Sequence, residues 1–342
     1  MNNKSRRATQ LIAAATLLLM TNSVHAEEKG GLFVRIDNDI FTGTDRDYTS
    51  GVQVGSTSAT VESFDDERLA PSIRWANDRL RWLQPKGFDL NNVTWTIGQR
   101  MYTPEDWSRS EPDPLDRPYA GLLFASLTYN GRDAHSMRST SLDVGIVGPS
   151  ALAEQTQLAV HKAVGADKFL GWDHQLSDEP VFRILHERFH RWDIKPTRRF
   201  GDFTTHFGGS VGNLTTFANA GAELRFGRNL PDNFGTAATL SYGQNTPPAR
   251  WGVASSRPSI HGFMAVDARA VLHDVTLDGN TWRDSASVDR EPLAAELAIG
   301  VALDWRAWQA TLGATYRTKE YETQNREASF GTLTFRRALA HR

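Results

Sequence analysis

A strand end rich in carboxylate, amide and hydroxyl groups lies near the start of the chain. Asn38 and Asp39 close the first strand-like pattern, and the loop that follows contains Asp45, Asp47 and Thr49 among glycines and threonines. An ordinary turn needs glycine and one Asn or Asp. Carboxylate, amide and carbonyl oxygens together are the ligands that calcium prefers. The residues alone leave both interpretations open, a metal site and a polar turn.

A second polar group of residues lies on a predicted helix over Ser150–Val164, whose first residue is a favoured N-cap. Gly165 follows as a favoured C-cap residue. Glu154, Gln157 and His161 are spaced three and four apart, so they share one face of the helix. That face is either solvated or part of a site.

Two segments match the sequence patterns of catalytic motifs, but the secondary structure expected there differs from the one that each motif needs. His186–His190 reads HExxH, which binds zinc when it lies on a helix. On a strand, however, His186 and His190 share one face and Glu187 lies on the other. The GxSxG match at Gly208–Gly212 leads into another strand rather than a helix, so a hairpin is the better interpretation.

Segments of about ten residues alternate between apolar and polar positions along most of the chain, as strands do. Leu293–Trp305 is the clearest case, because its odd-numbered positions are all apolar. The pattern predicts twelve strands, beginning near Leu32, Gly51, Asn92, Tyr119, Met137, Val181, Gly201, Thr215, Ile260, Pro292, Trp308 and Ala328. A second helix is predicted over Pro71–Leu83. The stretch Gly227–Ser259 has no predicted strand and would be a long connection.

The strands favour an outer-membrane barrel over a soluble sandwich. Sandwich strands are typically shorter, and here ionisable residues recur in mid-strand on the non-apolar face. Residues 1–26 resemble a secretory signal, with Lys4, Arg6 and Arg7 before a short apolar run. The expected organisation is a signal peptide over residues 1–26 and a twelve-stranded antiparallel transmembrane β-barrel with short loop helices over residues 27–342, located in the outer membrane of a Gram-negative cell.

Composition excludes several classes of function. The chain has no cysteine, which excludes disulfides and thiolate zinc sites. Its formal net charge of −2 becomes more negative once the basic leader is removed, so nonspecific nucleic-acid binding is not expected.

Strand parity predicts which polar groups share a rim. If the chain starts on the periplasmic side, the connections after strands one, three and five all emerge outside. These connections carry Asp39 and His161. Both groups are therefore expected on the rim that faces lipopolysaccharide in the outer leaflet.

Five collinear segments together resemble the calcium-dependent lipid A 3'-O-deacylase family of outer-membrane barrels. They cover nearly the whole chain after residue 26, and they are Asn38-Asp39 with Asp47–Gly51, Gly145–Pro149, Gln157 with His161, Gly165–Lys168, and Asn229–Gly235. The resemblance implies a twelve-stranded barrel that removes a 3'-linked acyl chain from lipid A.

The resemblance also implies roles for individual residues. His161 matches the family's catalytic histidine, and Gln157, Asn38 and Thr49 match other active-site positions. Asp39 and Asp167 would bind Ca²⁺, although Asp167 stands where relatives can carry the longer Glu. The expected mechanism has neutral His161 activate a water, calcium polarise the ester carbonyl, Asn38 donate to the oxyanion, and Gln157 and Thr49 orient the water or the metal shell.

Some assignments stay open at this stage. The family's basic residue in the second outer loop has two candidates here, Arg100 and Arg109. Arg117 is either a structural ion-pair partner or a lipid phosphate contact. The alternative functions are an outer-membrane phospholipase, a non-catalytic porin-like or structural barrel, and a zinc peptidase based on HExxH. The sequence does not indicate the oligomeric state.

Overall fold

The computed structural model describes residues 28–38, 47–165, 167–194, 200–236 and 258–340. The leader over residues 1–26 lies outside these ranges. In the described part the chain forms twelve strands. They are β1 (Glu28–Asn38), β2 (Asp47–Thr57), β3 (Leu90–Thr103), β4 (Ala120–Arg132), β5 (Ser136–Val147), β6 (Glu179–Asp193), β7 (Gly201–Val211), β8 (Thr215–Arg228), β9 (Ser259–Asp274), β10 (Leu293–Trp305), β11 (Trp308–Arg317) and β12 (Ala328–Ala340).

The strands form one closed antiparallel barrel in chain order, which confirms the predicted fold class. β1 pairs with both β2 and β12, so the sheet has no free edge. Closure satisfies the backbone hydrogen bonds that lipid cannot satisfy. No helix in the described ranges is long and apolar enough to cross a membrane.

The barrel has its apolar face on the outside and its polar face on the inside. Large apolar side chains stand exposed on the outer wall of most strands. Examples are Val54, Ile97, Val144, Phe207, Val266, Leu297, Ile299 and Leu312. The alternate positions of the same strands face the lumen and carry charged side chains that are almost fully buried. This inverted pattern is the one expected for a wall surrounded by hydrocarbon.

Ion pairs between neighbouring strands fill the lumen. Asp143 and Arg183 are opposite each other in β5 and β6, and the Arg183 Nη2 donates to Asp143 Oδ2 at 2.5 Å. Arg317 and Glu296 pair in the same way between β11 and β10, at 2.7 Å. Buried ions need such partners, because removal from water is costly.

The connections divide between two rims. Residues 39–46, 104–119, 148–178 and 275–292 join strands at one rim, and residues 58–89, 133–135 and 306–307 join them at the other. Two described turns at the second rim are only two or three residues long, as periplasmic turns are. The first rim therefore faces outward.

Each rim carries short helices. α1 (Pro71–Arg79) and a 3-10 turn (Arg81–Leu83) lie at the periplasmic rim. The outer rim has 3-10 turns at Pro149–Ala151 and Trp172–His174, with α2 (Ala153–Val164) and α3 (Val275–Asp278).

The start of the helix predicted over Ser150–Val164 was wrong. Ser150 does not cap α2, because its backbone N–H and hydroxyl both donate to the Asp178 carboxylate, at 2.7 and 2.6 Å. The helix begins after Leu152, which adopts a left-handed conformation. The predicted end is confirmed, since Gly165 is the C-cap with φ +72°.

Both motif matches lie in strands. His186–His190 is in the middle of β6, with Glu187 buried toward the lumen and the two histidines on the outer wall. The helix that a zinc peptidase needs is not formed. The GxSxG segment ends β7 and leads through a three-residue turn into β8, as a hairpin does.

Candidate active site on the outer wall of the barrel

Helix α2 packs against the outer wall of β3 and β4 rather than over the mouth of the barrel. Gly121 leaves the outer wall without a side chain at this position, and a Cβ added there would lie 2.6 Å from the Ala153 Cβ. Gly148 turns the chain toward the helix with φ +114°, a conformation that favours glycine. Gln99 on β3 then donates to the Ala151 carbonyl at 2.6 Å. These contacts fix the start of the helix on the wall.

An aromatic cluster packs beside α2 on the outer wall of the barrel. Phe169 and Trp172 pack with Met101 and Tyr119, and Trp107 stacks on Phe169 with ring centroids 4.9 Å apart. Burial raises the pKa of Tyr119 to about 12, so its phenol stays neutral at working pH. The packing of Phe169 and Trp172 thus anchors the loop that follows α2, in addition to its backbone contacts.

His161 is buried at the C-terminal end of α2, with only 6% of its surface exposed. Its Nδ1 lies 2.5 Å from the Asp167 backbone oxygen, and its ring meets the Phe169 ring edge to face. A carbonyl oxygen can only accept, so Nδ1 carries the proton in this contact. In the neutral imidazole Nε2 is then the lone-pair nitrogen, which is the atom that a general base uses.

Gln157 lies one turn before His161 on the same face of α2, and it is 4% exposed. Trp172 Nε1 is 2.6 Å from Gln157 Oε1, and an indole nitrogen can only donate. This contact fixes the orientation of the amide. The Gln157 Nε2 group is buried without a hydrogen-bond partner in the described part of the chain. The helix thus presents His161 Nε2 as a lone-pair nitrogen and Gln157 Nε2 as a donor without a partner in the described residues.

The sheet register extends this surface to the end of β1. Asn38 is opposite Ser50 in β2, Ser50 is opposite Met101 in β3, and Met101 is opposite Gly121 in β4. Asp37 faces the lumen with no exposed surface, so Asn38 faces the outer wall by alternation. Asn38 is therefore two strands, or about 10 Å, from the Met101 backbone that α2 covers.

Thr49 lies at an irregularity in this register. The pairing of β2 with β3 shifts between Tyr48 and Ser50, which leaves Thr49 as the extra residue. β-bulges are frequent beside active sites, because they redirect a side chain. The backbone of Thr49 is next to the Asn38 partner Ser50. Its role stays a prediction.

The two predicted metal ligands differ in what the structure describes. Asp39 lies outside the described residues. Asp167 is exposed, and its backbone oxygen contacts His161 Nδ1. Its role as a calcium ligand stays a prediction. In the described ranges no group of three or more His, Asp or Glu residues is arranged to hold a metal ion.

The candidate basic residues are in three different environments. Arg117 is fully buried and donates to Glu320 at 3.3 Å, so its structural interpretation is confirmed. Arg100 is also buried, in β3 with its guanidinium over the Phe124 ring. Arg109 is exposed in the second outer loop and pairs with Asp113 at 3.0 Å. Of the three, Arg109 is the one that solvent and lipid can reach.

Trp172 was missed by sequence reasoning. It positions Gln157, yet no motif contains it. The available signal was the unusual presence of Phe169 and Trp172 in a polar outer loop, because aromatic side chains in a loop need something to pack against.

Known proteins resemble the chain at the level of family and fold. A family model described as "Outer membrane protein LpxR" matches residues 11–339. Among solved structures, LpxR from Salmonella typhimurium matches with a TM-score of 0.72 and 18% identity, over 90% of this chain and 100% of that chain. The beta domain of the Bordetella autotransporter Brka matches with a TM-score of 0.39 and 11% identity, over 91% and 100%. No curated protein sequence matches the chain.

Proposed function

The chain belongs to the LpxR family of outer-membrane proteins, and on this premise we propose that it is an esterase that removes a 3'-linked acyloxyacyl chain from lipid A. The observation that carries the proposal is the pair formed by His161 and Gln157 on the outer wall. Both side chains are buried, and each has one polar atom fixed by a neighbour, which leaves the other available. A lipid in the outer leaflet reaches this wall laterally.

The proposed chemistry begins with a water held by His161 Nε2. The imidazole takes a proton from the water as it attacks the ester carbonyl, while the Asp167 carbonyl holds the Nδ1 proton in place. The proton then passes from Nε2 to the leaving alkoxide oxygen as the ester C–O bond breaks. The products are a free carboxylic acid and the sugar hydroxyl. No side-chain nucleophile is needed.

Developing negative charge on the carbonyl oxygen needs donors. Gln157 Nε2 is a preorganised donor on the same helix face, and the amide of Asn38 is a second candidate on the wall. Asp39 and Asp167 would hold calcium, which when bound supplies positive charge near the same oxygen. Thr49 is proposed to orient the water or the metal shell.

The experiment is mass spectrometry of lipid A from cells that produce the protein and lack any other deacylase. The wild type should remove one acyloxyacyl mass. His161→Ala should lower the rate by about 10²–10⁴-fold, because a general base contributes that much. His174→Ala is the matched control, since His174 is an exposed histidine in the same loop and pairs with Glu111.

Three outcomes would reject the proposal. If His161→Ala deacylates as well as the wild type does, the base is another group. If lipid A is unchanged while phospholipids lose an acyl chain, the protein is a phospholipase. If neither lipid changes, the barrel is not an esterase.

The calcium proposal has a readout that does not depend on activity. Trp107 and Trp172 pack with Phe169, which follows Asp167 by two residues, so calcium binding should change their fluorescence in the purified barrel. Asp39→Asn and Asp167→Asn should each abolish the change, whereas Asp173→Asn, which neutralises another exposed acid of the same loop, should keep it. A wild type that shows no calcium-dependent signal and stays active in excess chelator would remove calcium from the mechanism.

A further inference from the structure

Four basic side chains form a patch on the outer wall near the periplasmic rim, far from α2. Glu187 faces the lumen, where Asn219 donates to it at 3.2 Å, so His186, Arg188 and His190 on either side of it face outward. Arg138 in β5 is directly opposite Arg188 in β6. We refer to Arg138, His186, Arg188 and His190 as the basic wall patch.

The two arginines of this patch have no anionic partner in the described part of the chain. Both are exposed. Their guanidinium groups lie only over rings, Arg138 over Phe88 at 5.5 Å and Arg188 over Phe207 at 6.0 Å. Like charges directly opposite each other in a sheet are destabilising, and a cation on a lipid-facing wall adds a further cost. A bound anion between the two would offset both.

The position of the patch identifies the lipid layer that it meets. Arg138 is the third residue of β5 after the short periplasmic turn at residues 133–135. The patch therefore lies where the wall leaves the hydrocarbon on the periplasmic side.

A neighbouring segment marks the same level of the membrane. Residues 58–89 lie against the outer wall, where Phe64 and Leu83 pack on Val93 and Tyr129. The segment exposes Trp75 and Trp82, which are 60% and 66% accessible. Tryptophan is enriched at headgroup depth, so this segment marks the interface of the inner leaflet.

We propose that the basic wall patch binds the phosphodiester headgroup of an anionic phospholipid in the inner leaflet. Arg138 and Arg188 project from Cβ atoms about 5 Å apart, so rotation of these exposed side chains away from Phe88 and Phe207 would bring both guanidinium groups to one phosphate. His186 is held by Thr140, with Nδ1 and Oγ1 2.9 Å apart, and it flanks the pair. Ile184 and Phe182 continue the same face toward the middle of the membrane and would contact the acyl chains.

A headgroup site accounts for the HExxH match without zinc, because His186, Arg188 and His190 lie together on one outward-facing surface. It is separate from the proposed ester hydrolysis. The patch is on the opposite leaflet from His161, and a structural lipid there would stay bound without being cleaved.

The test is native mass spectrometry of the detergent-solubilised barrel, titrated with phosphatidylglycerol and, separately, with phosphatidylcholine. The wild type should retain one phosphatidylglycerol in preference to phosphatidylcholine. Arg138→Gln with Arg188→Gln should weaken that binding by about tenfold or more, because two charge-assisted hydrogen-bond donors are lost. Arg228→Gln with Arg306→Gln is the charge-matched control, since both are exposed arginines at the periplasmic ends of other strands.

The results separate the alternatives. Equal retention by the Arg138/Arg188 variant and the wild type would overturn the site. A wild type that binds both lipids alike would overturn its specificity for anionic headgroups. A similar loss in the control pair would show a general effect of net charge and would also overturn it. Heat-dependent migration on gels verifies that each variant is folded, and lipid A deacylation is measured separately.

Discussion

The indole of Trp172 determines which end of the Gln157 amide is available for chemistry. Because the indole N–H can only donate, it binds Oε1 and leaves Nε2 directed elsewhere. The Asp167 carbonyl acts on His161 in the same way and leaves Nε2 of the neutral ring as the lone-pair nitrogen, the atom that the proposed mechanism uses as the base. Two residues of α2 are thus prepared for opposite roles, a donor and an acceptor, by groups that themselves do no chemistry.

Trp172→Phe should separate positioning from packing. Phenylalanine keeps the contact with Tyr119 but removes the hydrogen bond to Gln157, so we expect deacylation to fall by about tenfold, the value of one such bond. The effect should disappear in a Gln157→Ala background, because the amide that Trp172 orients is then absent. Turnover of lipid A by the purified enzyme measures both effects.

Trp107→Phe is the matched control for that experiment. Trp107 belongs to the same aromatic cluster and stacks on Phe169, but its indole N–H makes no hydrogen bond in the described structure. An equal loss of activity in the two variants would show that the cluster acts only through packing.

The candidate site residues came from the family resemblance, and residue spacing alone indicated only some of them. The i,i+4 spacing placed Gln157 and His161 on one face. The contacts with Asp167 and Trp172 could not be predicted, since they depend on how the loop after α2 folds back over β3. Asp39 lies outside the described residues, so its role stays a prediction.

At the scale of elements, alternation was enough to locate all twelve strands. The signal was strong because each strand separates lipid from a charged lumen, as Arg225 and Asp202 show by pairing inside while Phe203 and Phe226 stand exposed outside. Helix boundaries were less predictable. Ser150 is a residue type that favours an N-cap, but its hydroxyl donates to Asp178 in the following segment instead.

Element order also explains why the site lies outside the barrel. The β3–β4 wall carries Met101 and Gly121 at adjacent positions near its outer end, and the small residue admits a helix. A bulky residue at Gly121 would lift α2 from the wall. The register then connects that helix to Asn38 across β2, so four consecutive strands build one surface that faces the outer leaflet.

At the scale of the whole molecule, side chains occupy the described lumen at its outer end, in its middle and at its periplasmic end. An apolar cluster that includes Leu122, Val181, Leu214 and Val275 fills its outer end. Ion pairs fill the middle, and Asn233 enters from the periplasmic end, where Arg225 and Arg191 donate to it. These contacts favour a solid support for the outer wall over a channel.

The stability of such a barrel should depend on the ion pairs of its lumen. Arg183 is 1% exposed and bonds to Asp143, which also accepts from Ser126. Arg183→Met leaves the Asp143 charge buried without a counter-ion, so we expect the free energy of unfolding to fall by about 3–5 kcal/mol. Denaturant unfolding in lipid vesicles measures the change. Adding Asp143→Leu should restore most of the loss, because no buried charge then remains.

Arg68→Met is the surface control. It breaks the exposed ion pair with Asp66 and should lower the free energy of unfolding by less than about 1 kcal/mol. A double variant as unstable as Arg183→Met would show that hydrogen bonds and packing around Arg183, rather than charge compensation, hold the lumen together.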